Sequence, residues 1–201
     1  MMTKRHTGAG LFAAVMLMLT GCGDSGSSSA PEVSSAAEFE YTGLQVDAAE
    51  GVDPECAECI RSYFLSLETR DYDAYQKTIY PPYRENCSEY FKKLGSSPEE
   101  AFEGMCSKFD EDGYESWKLT KLTLSYYGDE KSSVEEFFMR FLNDGVFDEK
   151  FAEKAKADAK EMHDVIFSLD AIYAGDSQPV TVVPRSGILA IKNADGWFVF
   201  G

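Results

Sequence analysis

Ile188-Leu-Ala-Ile-Lys-Asn-Ala-Asp-Gly-Trp-Phe-Val199 is the stretch that decides the fold class. Two apolar runs bracket Asn193-Ala-Asp-Gly196, whose residue types accept the left-handed conformations that tight turns demand, so the stretch predicts a β-hairpin. The strand pattern continues upstream. Residues 180–183 and 188–191 read as strand pieces separated by Pro184 and Gly187, a pairing that suits a sharp bend better than a flat central strand. Before them Val165, Phe167, Leu169, Ala171 and Tyr173 alternate onto one face, and so do Trp117 and Leu119, then Leu122, Leu124 and Tyr126. The break in phase between 119 and 122 predicts a bulge.

Toward the N-terminus the period changes to that of helices. Asp53-Pro54 offers a cap followed by proline in the first turn, and Cys56, Ile60, Tyr63, Phe64 and Leu67 then form one apolar stripe that Arg70-Asp71 interrupts. A short helix carrying Tyr72, Tyr75 and Ile79 stops at Pro81-Pro82. Residues 83–94 and 98–109 read as an antiparallel helical pair, joined by Gly95 and opened by a capping box at Ser97 and Glu100. Ser133-Val-Glu-Glu136 reads as a second capping box before the face Val134, Phe137, Phe138, Phe141 and Leu142, with Gly145 closing that helix. Residues 148–160 read as a weaker surface helix. Helices first and antiparallel strands later predict an α+β fold: N-terminal helices on a curved antiparallel sheet of about four strands, with a helical insertion.

The order of elements resembles the nuclear-transport-factor-2-like cone fold. The resemblance rests on residues 65–80, a helix broken at Arg70-Asp71-Tyr72 before a second short helix, and on the final hairpin with its Trp-bearing strand. It covers most of residues 54–201, and the helices at 133–160 stand where simpler members pass directly to the next strand. It implies a curved sheet whose concave side faces helices, with space for either a ligand or a filled core.

The first 22 residues resemble a bacterial lipoprotein signal. Lys4 and Arg5 precede an apolar run too short to span a bilayer, which ends in Leu19-Thr-Gly-Cys22. The resemblance implies cleavage before Cys22, a lipid on its sulfur, and a location in the bacterial cell envelope, outside the cytoplasm and anchored to the membrane. Residues 22–52, rich in Ser, Gly, Ala and acids, then read as a flexible tether in which Phe39, Tyr41 and Leu44 are too sparse for a core. A single domain follows at 53–201.

Formal charge is −16, with 35 acidic against 19 basic residues. Loss of residues 1–21 would remove Lys4 and Arg5 and no acid, leaving the chain more negative still. Nucleic acid is disfavoured as a partner, since it requires clustered Lys and Arg. The expected partners are the membrane, through the lipid on Cys22, and a protein or small-molecule ligand. No cofactor or metal site is expected.

Four cysteines remain besides Cys22, and an even count outside the cytoplasm favours disulfides. Cys87 and Cys106 lie eight residues on either side of Gly95 and Pro98, about 12 Å along each arm at the helical rise, so a bridge between them is reasonable. It would contribute roughly 3 kcal/mol in the chain-entropy model. Cys56 and Cys59 could then pair with each other, although cross-pairing also satisfies the count. Cys56-Ala-Glu-Cys59 also matches a redox spacing, but it lacks the strand that should precede it. The acidic run 109–113 lacks the remaining ligands of a calcium loop and reads as a solvated turn.

His163 is the sole histidine after the signal. Catalytic candidates are His163, Asp164 and Asp170, with alternation sending the two acids to the face opposite the histidine. The expected function is a ligand-binding or protein-interaction module. The alternative is a cone-fold enzyme of isomerase or hydrolase type, using His163 or a cavity carboxylate as general base.

Overall fold

The computed structural model describes residues 39–110, 116–127, 130–143 and 145–200. Among these residues the fold is α+β, with six α-helices and an open five-stranded mixed sheet in the order β1-β2-β3-β4-β5. The strands are β1 (Gln45–Ala48), β2 (Trp117–Tyr126), β3 (Glu161–Tyr173), β4 (Val180–Lys192) and β5 (Trp197–Phe200). Four of them are the expected antiparallel meander. The fifth, β1, pairs parallel with β2 inside the stretch read as tether, and Leu44 just before it is 3% exposed. The ordered fold therefore starts ahead of Asp53. A four-residue strand with every side chain exposed carries no alternating pattern, and it is specified by pairing with β2 rather than by its own composition.

Local chemistry explains the helical elements. In α1 (Pro54–Thr69) the Asp53 carboxylate accepts from the Glu55 and Cys56 amides at 2.7 and 3.3 Å. The helix ends where Arg70 takes a left-handed conformation at φ 53° and donates its amide to Leu67. Arg70 is held there by ion pairs to Glu103 and Asp110 at 3.1 and 2.7 Å. Next come α2 (Tyr72–Thr78), α3 (Pro81–Leu94) and α4 (Pro98–Cys106). Pro81 and Pro82 both end α2 and occupy the first turn of α3. The Ser97/Glu100 capping box is formed, as its spacing predicts. The Ser133/Glu136 box is not, because α5 (Glu130–Asn143) begins three residues earlier and leaves Ser133 inside the helix. There its hydroxyl bonds the Asp164 carboxylate of β3. Tertiary pairing has taken the side chain that the motif assigned to a cap.

Register places two apolar layers on the sheet. Val165, Phe167, Ile188, Ala190, Trp197 and Val199 share one face, against which α1 packs. Phe64 of α1 meets Phe167 at 4.9 Å, and Leu119, Leu122 and Leu169 are fully buried in the same layer. The opposite face carries Leu189, Ile191, Phe198 and Phe200 and lies under α5 and α6 (Glu149–Asp158). Phe137 and Phe138 approach Phe200 at 5.4 and 5.9 Å, and Phe141, Phe147 and Phe151 extend the cluster to Tyr83 of α3. Helix α6 thus buries Phe151, Ala152 and Ala155 rather than lying peripherally. A thin stripe suffices because the rings of Tyr83 and Phe147 meet Phe151.

The bulge in β2 falls where the sequence signals it. Register shifts between Leu119 and Lys121, the expected break in β2. The buried Glu68 carboxylate at the end of α1 accepts the Leu119 amide there at 2.8 Å. In β4 the expected break does not occur: the pieces 180–183 and 188–191 join into one strand, with one register shift against β3 across Pro184 and a second across Val182. The Asn193–Gly196 turn closes with the Asn193 side chain accepting the Asp195 amide at 2.8 Å.

Candidate functional site

The N-terminus of α1, the end of β4 and the start of β5 meet in a polar cluster. Asp53 is its hub: beyond capping α1, it accepts from the Lys192 ammonium at 3.1 Å, while its own amide donates to the Tyr126 hydroxyl at 3.0 Å. Burial by itself would raise the Asp53 carboxyl. Donation from Lys192 and from the Glu55 and Cys56 amides outweighs that and holds it below its ordinary value. Lys192 also lies 3.7 Å from Glu55 and 3.8 Å from Glu161, and sits over the Trp197 ring at 5.3 Å. These acids raise its pKa, the Asp53 contact foremost. His163 stacks on Tyr126 at 4.2 Å with the rings nearly parallel, and faces Trp197 at 5.7 Å. The Trp197 indole N–H is buried with no hydrogen bond of good geometry, although it lies near enough to Asp53 to favour the charged carboxylate.

Beside this cluster a cleft of about 580 Å³ opens between α1 and α2. Glu55, Glu58 and Ser62 form the α1 wall, and Ala74, Lys77 and Thr78 face them from α2. Cys59, Gly196 and Trp197 complete the lining. The two walls are joined at the sheet edge, where Tyr80 donates its amide to Val199 and Ile79 bridges the same residue. Cys59 donates to the Trp197 carbonyl at 3.3 Å. Burial, with Glu58 adding to it, pushes that thiol up to about 12. The Cys59 thiol that lines the cleft is therefore protonated at neutral pH.

No protein-family model, curated protein or solved structure matches this chain.

The three catalytic candidates do not converge. His163 lies within the aromatic stack, with Glu161 3.6 Å away. Asp164 faces α5, bonded to Ser133, and Asp170 bonds Thr181 at 2.7 Å further along β3. Register confirms that the acids and the histidine occupy opposite faces.

The four described cysteines are free thiols, so neither Cys87–Cys106 nor Cys56–Cys59 is bridged in this structure. Cys87 bonds Tyr83 and Cys106 lies near Tyr63, and both thiols act on the buried Tyr75 without being joined to each other. Cys56 and Cys59 share a helix but not a direction: the first is fully buried and the second reaches β5. Burial pushes Cys56 up to about 12 as well, the reverse of what a redox-active helix-terminal thiolate requires. Within the acidic run, Asp110 accepts from Arg70 and from the Trp117 indole at 3.1 Å. Residues 111–113 of that run, the signal and Cys22 lie outside the described residues.

Sequence reasoning did not single out Lys192, Lys77 or the acids Glu55 and Glu58. Asp53 carried a visible signal as a helix cap. Nothing local marked its second role, which depends on a partner at the far end of the chain.

Proposed function

We propose that this chain is a lipid-anchored protein of the bacterial cell envelope whose domain is a binding module that takes a ligand in the α1–α2 cleft. The observation that carries this reading is the filled layer between α1 and the sheet, where Phe64, Phe167, Leu119, Leu122 and Leu169 occupy the space that an enzyme of the cone type would keep open. A general base needs an ionisable group facing a cavity reached by solvent. His163, Asp164 and Asp170 are instead committed to three separate structural contacts. The cone-fold relation is part of the same reading: the break at Arg70-Asp71 and the final hairpin support it, and α5–α6 is its helical insertion over the sheet. The address comes from Leu19-Thr-Gly-Cys22 and the basic start that precedes it.

Fractionation of cells expressing the full chain tests the anchor. Diacylglycerol on an N-terminal Cys22, found by mass spectrometry, and release of Cys22→Ser from the membrane are the expected results; an unmodified, uncleaved N-terminus overturns them. For the domain, ligand-induced shifts of the Trp197 fluorescence or indole resonance are expected. Shifts confined to His163 and Asp164 would favour an enzyme instead.

A further inference from the structure

We infer that the α1–α2 cleft takes a zwitterionic short peptide whose ammonium meets Glu55 and Glu58 and whose carboxylate meets Lys77. This rests on the reading of the cleft as the binding site and adds the chemical class of its ligand.

The walls carry opposite charge, and each has capacity to spare. On α1, Glu58 receives both Arg61 and Ser62 on Oε1, at 3.0 and 3.5 Å, which leaves Oε2 without a donor among the described residues. The Glu55 side chain is 76% exposed, and its nearest cation, Lys192, makes its shorter contact with Asp53. Across the cleft Lys77 is exposed, and no carboxylate pairs with it among the described residues. A lone cation would use only the α1 wall and be repelled by Lys77, while a lone anion would face two acids. A molecule bearing both charges satisfies both walls.

The volume agrees with this class. About 580 Å³ lies in the range of small-molecule sites, roughly 300–1,000 Å³, and exceeds what a single ion fills. Trp197 and the neutral Cys59 thiol supply surface for the uncharged body of the ligand between the charged ends.

Calorimetry on the full-length protein in detergent tests the assignment with tri-alanine, its N-acetyl form, its C-terminal amide and the doubly blocked peptide. At low salt, blocking either end is expected to weaken binding at least tenfold. Lys77→Gln should weaken the free peptide about tenfold and leave the amide unchanged, with Lys77→Arg restoring affinity. Glu58→Gln should do the same for the ammonium end and spare the N-acetyl form. If the doubly blocked peptide binds as tightly as tri-alanine, or spermidine binds more tightly, the zwitterion assignment is overturned while the cleft remains a binding site. If none of the peptides and no spermidine binds, both the assignment and the reading beneath it fail.

Discussion

Asp53 and Lys192, separated by 139 positions in sequence, form a 3.1 Å ion pair that ties the first turn of α1 to the last residue of β4. Asp53→Ala removes the helix cap and the pair together. A loss of about 1–2 kcal/mol is expected, measured by urea unfolding at pH 7, and Lys192→Met should cost less than that because the cap survives. The pH dependence follows from both shifts. Asp53 is depressed in the fold, so its contribution is complete above the ordinary carboxylate value of about 4 and disappears as pH falls through the depressed one. Lys192 is raised, so its share is complete below the ordinary lysine value of about 10.4 and disappears as pH rises through the raised one. Equal urea midpoints for wild type and Asp53→Ala at pH 7 would contradict this account.

Gly187 lies under Asp164 so closely that a Cβ would stand 2.9 Å from the carboxylate oxygen. Gly187→Ala should destabilise by about 1–3 kcal/mol, the usual cost of overpacking. In an Asp164→Ala background the same substitution should cost far less. A double-mutant cycle showing simple additivity would rule out the contact.

Burial raises the Asp164 carboxyl, with Glu136 acting in the same direction and Arg140 against it. A raised carboxyl favours folding when protonated and opposes it when ionised, so this penalty grows as pH rises from the ordinary value through the raised one. Asp164→Asn keeps the shape and a hydrogen-bonding group for Ser133. It should therefore be more stable than the wild type at pH 7, with the gain vanishing near pH 3 in thermal melts taken at both values.

The Glu68 side chain is 4% exposed and accepts the amide of the β2 bulge. Glu68→Ala strands the Leu119 N–H, an expected cost of about 1–3 kcal/mol. Hydrogen exchange at Leu119 should accelerate more than at Leu124, and protection of Leu119 left intact would be the contrary result.

The thiols of Cys56, Cys59, Cys87 and Cys106 should resist a water-soluble disulfide reagent until the protein unfolds, since burial pushes the first two up to about 12 and the others up to about 11. Mass spectrometry of the non-reduced protein settles the bridges. Four free thiols are expected from this structure, and loss of two hydrogens would identify a bridge and overturn that expectation.

Periodicity and caps made most of the framework legible in the residues themselves. Asp53 capping α1, the Ser97/Glu100 box, the β2 bulge and the Asn193–Gly196 turn all depend on neighbours within a few positions, and such interactions are written in local sequence. The elements that escaped were those specified from a distance. Strand β1 exists because β2 offers it a parallel edge, and α6 is buried because Tyr83 and Phe147 supply rings that its own stripe lacks. Ser133 belongs to Asp164 rather than to a cap for the same reason.

By itself, then, the sequence determined the α+β class, the helix break at Arg70, the hairpin near the end and the opposite facing of His163 and Asp164, because each follows from spacing along one segment. Only the tertiary structure decided that the layer under α1 is filled, that the four thiols stay apart, and that Glu55 and Glu58 face Lys77 across a cleft beside Trp197. Those outcomes depend on how distant segments meet, and the energy of a packed ring, a desolvated thiol or a paired charge is set by neighbours that the local sequence does not contain.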